Sequence, residues 1–195
     1  MIVLIINGAP QSGKNTFSNF FKKKAQQDNK SSYEYSSVEW IKELLRIYFY
    51  WDSEKTKEAR QLISDIKQLA IKFDDVPLRK LQERIFESDL LNIDFFITYI
   101  REPGEIKKII ELINYPDDTN DANDTNDANI ENYGLKCYSI LIRNDVAEKE
   151  AKNLGAADNR YLDFPYDFVL YNNSSLFDFE NKVEEFYQEI NHKGN

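Results

Sequence analysis

The stretch that decides the fold is Ile2-Val3-Leu4-Ile5-Ile6-Asn7, followed directly by Gly8-Ala9-Pro10-Gln11-Ser12-Gly13-Lys14-Asn15-Thr16. The unbroken apolar run Ile2–Ile6 predicts a strand that is buried on both faces, as in a parallel sheet. The residues from Ser12 to Gln27 predict a helix with a cluster of phenylalanines on one side. A buried strand, a glycine-containing turn and a helix in this order are typical of an α/β domain.

The segment between this strand and this helix has the composition of a loop that wraps a phosphate group. Its glycines let the backbone curl so that successive N–H groups point at one anion, and the following helix adds its positive end. Lys14 can reach outer phosphates, and Thr16 offers a hydroxyl. The pattern G-x-x-x-x-G-K therefore predicts a nucleotide-binding P-loop formed by Gly8, Ala9, Pro10, Gln11, Ser12, Gly13, Lys14, Asn15 and Thr16.

The rest of the chain alternates apolar strands with helices. Strands are predicted at 33–36, 94–100, 137–142 and 168–171, and helices at 37–50, 54–73, 77–88, 103–113, from 145 and from 174 or 175. Leu62, Ile66, Leu69 and Phe73 recur at the spacing of an amphipathic helix. The β-α order, repeated about five times, predicts an α/β fold: a doubly wound parallel sheet of about five strands with helices on both faces. The 195 residues suffice for a single domain, with a helical insert at about 37–90.

Composition and charge exclude several classes of function. The net charge of -9 disfavours binding to duplex nucleic acid. The apolar start is too short for a membrane span or a signal peptide, and the single Cys137 fits a reducing compartment, so we expect a cytoplasmic protein without membrane association. The only histidine, His192, excludes sites built from several histidines.

One segment breaks the pattern. Thr119-Asn120-Asp121-Ala122-Asn123-Asp124 is followed by Thr125-Asn126-Asp127-Ala128-Asn129, a short tandem repeat almost without apolar residues. We expect a disordered low-complexity loop at about 115–132. Calcium binding through its aspartates is disfavoured, because the ligand spacing and the glycine of an EF-hand loop are missing.

The P-loop resembles that of the nucleoside monophosphate kinases. Adenylate kinases carry G-x-P-G-x-G-K-G-T, which coincides with Gly8, Pro10, Gly13, Lys14 and Thr16. The deoxynucleoside monophosphate kinases of the bacteriophage type, and the related phosphomevalonate kinases, often have S-G-K-D-T. This chain has Ser12-Gly13-Lys14-Asn15-Thr16, which differs from that motif only at Asn15, where an amide replaces the carboxylate of aspartate.

A second block strengthens this resemblance to the phage-type kinases. That family follows its third sheet element with a run similar to D-V-R-x-x-x-E, which Arg101 and Glu105 match in place and spacing. The family's aspartate falls on Tyr99 here, and Asn15 stands where many P-loops place a serine or threonine metal ligand. Magnesium would then be held mostly by the nucleotide and water, or activity would be weak or altered.

The resemblance implies a set of site residues and ligands. ATP and Mg²⁺ would bind at Gly8–Thr16, with Thr16 near the metal. Arg101 would hold the phosphate of the acceptor, a small molecule such as a nucleoside monophosphate, and the helical insert would supply further contacts from Lys42 and Arg60. Lys14, Arg101, Arg143 and Arg160 would stabilise the charge of the transferred phosphoryl group.

The sequence leaves three functions open. The first is an ATP-dependent phosphotransferase that acts on a (deoxy)nucleoside monophosphate. The second is a kinase for a non-nucleotide phosphorylated small molecule such as phosphomevalonate. The third is a nucleotide-binding P-loop protein without transfer activity, which the departures at Tyr99 and Asn15 motivate. The oligomeric state stays open as well.

Overall fold

The fold is a five-stranded parallel sheet, seen in a computed structural model that describes residues 1–54, 56–114, 135–152 and 160–192. The strands lie in the order β2-β3-β1-β4-β5. They are β1 (Ile2–Asn7), β2 (Ser32–Ser36), β3 (Phe95–Tyr99), β4 (Lys136–Arg143) and β5 (Phe168–Tyr171). The predicted α/β class, strand number and parallel arrangement are confirmed.

Strand β1 is the centre of the sheet and pairs with both β3 and β4. Near its carboxyl end, Ile6 lies opposite Tyr99 on one side and Ile140 on the other. Because all strands run in the same direction, the segments that follow β1, β3 and β4 leave the same edge as neighbours. Doubly wound sheets bind ligands at this edge.

The helices connect successive strands or follow the last one. They are α1 (Lys14–Gln27), α2 (Glu39–Phe49), α3 (Lys57–Asp74), α4 (Val76–Leu90), α5 (Pro103–Asn114), α6 (Asp145–Lys152) and α7 (Leu176–His192), with a short 3₁₀ helix at Arg160–Asp163. Helices α2, α3 and α4 lie between β2 and β3, within the predicted insert. The predicted low-complexity loop lies outside the described residues.

Large side chains fill both faces of the sheet. On one face α1 and α7 contribute Phe17, Phe21 and Phe186, and the rings of Phe21 and Phe95 meet edge to face at 4.9 Å. On the other face the core is built from the residues of α4 and α5, including Leu81 and Ile109. Aromatic and branched side chains bury much apolar area each, so both layers are packed against the sheet by the hydrophobic effect.

Three local predictions are corrected. The sequence favours Ser37 as the N-cap of the second helix, but α2 begins at Glu39 and its N-cap is Val38. The predicted apolar stripe of α3 does not face the core, because Leu69 and Phe73 are 66% and 85% exposed. Spacing places Leu176 on one stripe with Phe179, Val183 and Phe186 in the last helix, but Leu176 is exposed.

The start of α7 follows the predicted capping. The backbone N–H of Asp178 donates to Ser175 Oγ at 3.1 Å, and the N–H of Ser175 donates back to the Asp178 carboxylate at 3.2 Å. This reciprocal arrangement satisfies donors that a helix start otherwise leaves open. Within the described residues, none of the helices is long and apolar enough to cross a membrane.

The thiol of Cys137 on β4 yields a prediction about the folded state. Burial, aided by the nearby Asp167 carboxylate, raises the pKa of Cys137 to about 12. Because the thiolate is the reactive form, the native protein should react with iodoacetamide at pH 8 about 10³-fold more slowly than free cysteine. Mass spectrometry of the labelled protein measures this rate. Unfolding in urea should restore ordinary reactivity, and rapid labelling of the native protein would contradict the burial of this strand.

Candidate functional site

The P-loop begins with a glycine that the fold requires. Gly8 has φ +142°, and a Cβ at this position would lie 2.3 Å from the carbonyl oxygen of Ile142 on the neighbouring strand β4. That oxygen belongs to a buried backbone that cannot move aside. The first turn of the loop therefore packs directly on β4, which only a residue without a side chain allows.

The second glycine of the loop is enclosed by a side chain from β5's carboxyl end. Gly13 has φ +102°, and a Cβ there would lie 2.3 Å from Nδ2 of Asn172. The same amide donates to the carbonyl oxygen of Ser12 at 3.0 Å. Asn172 thus holds the loop in shape from the strand two places away in the sheet.

The start of α1 is open for an anion. Its N-cap is Gly13, the first turn contains no acidic residue, and no side chain among the described residues caps it. The N–H groups of a helix's first turn have no partner within the helix and carry a partial positive charge. In the same loop Ser12 Oγ is buried and has no hydrogen-bond partner among the described residues. These donors suit a phosphate group.

Lys14 lies folded over its own loop. Its ammonium group donates to the carbonyl oxygens of Gly8 at 2.7 Å and Ala9 at 2.6 Å. These contacts keep the charge at the mouth of the loop. Phosphate oxygens can replace the two carbonyl oxygens without moving the lysine far from its present position.

Asn7 joins the P-loop to the loop that follows β3. It is 1% exposed, and its side-chain oxygen accepts from the N–H of Gly8 at 2.7 Å. Its amide nitrogen donates to the carbonyl oxygen of Arg101 at 3.0 Å and to the hydroxyl of Tyr166 at 2.8 Å. One buried amide therefore fixes three chain segments at the carboxyl edge of the sheet.

Arg101 lies at this edge, as the sequence predicted. It is exposed and comes two residues after β3, the strand next to β1. The two glutamates that follow it, Glu102 and Glu105, bind Lys67 of α3 at 2.9 Å and 2.8 Å. The turn that carries Arg101 is thus bound to the helical insert as well as to β1.

The other two predicted arginines lie at the end of β4 and at the start of the 3₁₀ helix. Arg143 ends β4, and its guanidinium binds both carboxylate oxygens of Glu148 at 2.8 Å and 2.7 Å and lies 5.4 Å from the ring centre of Tyr171. The hydrogen bonds to Glu148 raise the pKa of Arg143 further. The backbone of Arg160 begins the 3₁₀ helix, and its side chain lies outside what the structure describes.

The two residues expected from the insert lie on α2 and α3. Lys42 pairs with Glu39, one turn earlier in α2, at 2.7 Å. Arg60 is exposed in the first turn of α3. Their role in acceptor binding stays a prediction.

Tyr99, at the position where the phage-type kinases have an aspartate, is turned toward α1. Its hydroxyl lies 2.6 Å from Ser18 Oγ and donates to the Glu34 carboxylate at 2.9 Å. Burial raises the pKa of Tyr99, so the phenol stays neutral. This side chain ties β3 to α1 and β2, and it does not offer a charged oxygen to a metal.

The donors for Mg²⁺ are accordingly few. In the described ranges there is no group of three or more histidine, cysteine, aspartate or glutamate residues that could hold a metal ion. The Thr16 hydroxyl, half-buried in the first turn of α1, is an oxygen ligand of the type that Mg²⁺ prefers. Mg²⁺ could be held by the Thr16 hydroxyl together with phosphate oxygens of the nucleotide and water. When bound, the ion would offset the negative charge of the phosphates.

Comparison with known proteins identifies the fold. No family model matches the chain, and no curated protein sequence matches it. The solved structure of APE1195 is similar with a TM-score of 0.51 and 15% identity, over 98% of this chain and 95% of that one. This likeness shows the fold alone.

Two kinases have weaker similarity over most of their length. The APS kinase of Mycobacterium tuberculosis, in complex with AMPPNP and APS, has a TM-score of 0.46 and 14% identity, over 95% of this chain and 96% of that chain. Thymidylate kinase from Ehrlichia chaffeensis has a TM-score of 0.40 and 15% identity, over 96% and 98% of the two chains. At these values neither kinase carries an argument about the activity of this chain.

Two residues at this site, Asn7 and Lys67, were missed by sequence reasoning. Asn7 is the polar last residue of an otherwise apolar strand, a position that marks ligand-binding edges in α/β sheets and was the one available clue. Lys67 is a lysine within an amphipathic helix, which ordinarily indicates a solvated face. Its partners become apparent only when α3 and the turn after β3 are placed together.

The glycines of the loop provide a test of its packing. Gly8→Ala should lower the free energy of unfolding by more than about 2 kcal/mol, because the new Cβ would meet a carbonyl of β4 in a strained backbone conformation. Gly13→Ala should have a smaller effect, since the Asn172 side chain can move. Urea unfolding followed by circular dichroism gives both values.

Gly104 is the matched control. It lies in the first turn of α5, and a Cβ there would have nothing within 4 Å. Gly104→Ala should leave stability unchanged or raise it by about 0.5–1 kcal/mol, because alanine favours helices. Equal losses in the free energy of unfolding for Gly8→Ala, Gly13→Ala and Gly104→Ala would contradict the close packing of the loop.

Proposed function

We propose that this chain is an ATP-dependent phosphotransferase that moves the γ-phosphoryl group of ATP to a small phosphorylated acceptor, with a (deoxy)nucleoside monophosphate as the leading candidate. The acceptor identity rests on the resemblance of the P-loop and of the Arg101–Glu105 block to nucleoside monophosphate kinases. The chemistry rests on the site itself. Phosphoryl transfer depends on positioning and charge stabilisation, which this site can supply.

The observation that carries the proposal is the junction at Asn7. One side of its amide holds the first N–H of the P-loop, and the other holds the carbonyl of Arg101. The P-loop and the backbone that carries the Arg101 side chain therefore lie on adjacent segments with a fixed spacing. Two anionic substrates held side by side are what transfer between them requires.

Each residue of the site has a chemical task in this proposal. The N–H groups of Gly13–Thr16 and the Ser12 hydroxyl bind donor phosphate oxygens, and Lys14 bridges the outer phosphates. Arg101 holds the acceptor phosphate through two parallel hydrogen bonds. Arg143 is bound to Glu148 and Tyr171, which favours a role in stacking against the nucleotide over a role in charge neutralisation.

A specific observation favours a second candidate, a nucleotide-binding protein without transfer activity. The phenol of Tyr99 occupies the strand end where a related kinase has a carboxylate, and its hydroxyl is engaged by Ser18 and Glu34. Binding through the P-loop does not need that carboxylate. Incubation of the pure protein with ATP, Mg²⁺ and each nucleoside monophosphate, and separately phosphomevalonate, while ADP is measured, distinguishes the candidates.

Lys14→Ala tests the donor side. Loss of the ammonium group should reduce transfer to background, because Lys14 is the P-loop side chain that is predicted to bridge the outer phosphates. The fold should survive, since the lysine is only half-buried and its hydrogen bonds to the carbonyls of Gly8 and Ala9 lie within its own loop. The measurements are ADP release and thermal unfolding. The control is Lys23→Ala, which changes an exposed lysine of the same helix and should retain the wild-type rate of transfer. If Lys14→Ala also transfers at a rate near that of wild type, the phosphate site is misassigned.

Arg101→Lys tests the acceptor side. Lysine keeps the charge but lacks the planar fork, so kcat/KM for the acceptor should fall about 10²-fold, equivalent to about 3 kcal/mol. The affinity for ATP, measured by isothermal titration, should stay within a few-fold of wild type. Arg79→Lys on the exposed face of α4 serves as the control. Weaker ATP binding with unchanged acceptor kinetics would place Arg101 on the donor side instead.

A further inference from the structure

Helix α3 buries a charged residue. All residues of α3 are described, and Lys67 is its one buried residue, at 7% exposure. The apolar residues Leu69 and Phe73 point into solvent at 66% and 85% exposure, whereas Ile63 and Ile66 are half-buried. The residue of α3 that is most deeply placed in the domain is therefore a lysine.

The partners of Lys67 lie in the turn that carries Arg101. Its ammonium nitrogen is 2.9 Å from Glu102 Oε2 and lies between both oxygens of Glu105, at 2.8 Å and 2.9 Å. Glu102 is the residue directly after Arg101, and Glu105 lies in the first turn of α5. Lys67 therefore holds this turn from the side of the insert, opposite the hydrogen bond from Asn7.

The charges in this cluster make Lys67 necessary. Burial raises the pKa of Glu105, and the Lys67 ammonium opposes that shift. Without Lys67, the buried carboxylate of Glu105 would lack a cation beside it and would repel the neighbouring carboxylate of Glu102. The turn would have to open to hydrate them, and the Arg101 backbone would move with it.

We propose that Lys67 is a positioning residue of the acceptor site, which fixes the Arg101 turn to helix α3 so that Arg101 meets the acceptor phosphate. This inference rests on the proposed function of Arg101. It assigns Lys67 no contact with substrate. The helical insert would then act on the acceptor through this cluster of Lys67, Glu102 and Glu105.

Steady-state kinetics of two variants test the inference. Lys67→Met removes the charge at similar length and should raise the acceptor KM 10-fold or more, with ATP affinity within a few-fold of wild type. Lys67→Arg keeps the charge and should restore most of the loss. Lys108→Met is the matched control, because Lys108 also links α5 to the insert, through Asp75, but is 54% exposed. A proportional loss of ATP affinity and acceptor kcat/KM in Lys67→Met would indicate a merely structural role and overturn the inference.

A double-mutant cycle with Arg101 sharpens the result. If Lys67 acts through Arg101, Lys67→Met should have little further effect on acceptor kcat/KM in an Arg101→Lys background. Additive losses would show that the two residues act independently and would reject the positioning role.

Hydrogen exchange separates this inference from the proposed function. Lys67→Met should speed the hydrogen exchange of backbone amides in residues 101–106 and leave the exchange rates of residues 8–16 as in wild type. The Lys108→Met protein should exchange like wild type in both segments. Unchanged exchange at 101–106 would overturn the inference whether or not the protein transfers phosphate. If the wild-type protein phosphorylates no acceptor, the proposed function is wrong. The exchange rates at residues 101–106 still decide whether Lys67 holds the turn that carries Arg101. Should Lys67→Met not fold, Glu102→Gln removes one partner of the same cluster and repeats the measurement.

Discussion

The site depends on one buried amide at the end of the central strand. Asn7 can neither face solvent nor leave its polar atoms unpaired, since a buried amide without partners destabilises a fold by several kcal/mol, on the order of the 2–7 kcal/mol range of transfer measurements. It is satisfied by Gly8, Arg101 and Tyr166, which come from three separate segments. Because the strand β1 is itself fixed between β3 and β4, these segments are held in register with the sheet.

The two halves of the site are held by different forces. The P-loop is packed by close backbone approach, with Gly8 against the Ile142 carbonyl and Gly13 beneath Asn172. Such contacts allow few alternative positions for the loop. The Arg101 turn is held from the insert by the charges around Lys67 and from the sheet by the hydrogen bond from Asn7.

The sequence predicted the elements that follow from strong local patterns. The apolar run of β1 and the residues of the P-loop were identified because their chemistry is carried by consecutive positions. The strand order of the sheet and the orientation of Tyr99 were not available, because each depends on residues far apart in the chain. Helix α3 was predicted as a helix, but the spacing of Leu69 and Phe73 did not indicate which side faces the domain.

By itself, the sequence determined the α/β class, the glycine-containing turn between β1 and α1, and the place of Arg101 at the end of a buried strand. These follow from hydrophobic periodicity and from the conformational freedom of glycine, which act over a few neighbouring residues. Only the tertiary structure decided that Asn7 connects the P-loop to the turn that carries Arg101, that Asn172 encloses Gly13 and that Lys67 is buried between two glutamates. Those contacts are set by how strands and helices pack, and a charged or amide side chain is buried only where packing brings it distant partners.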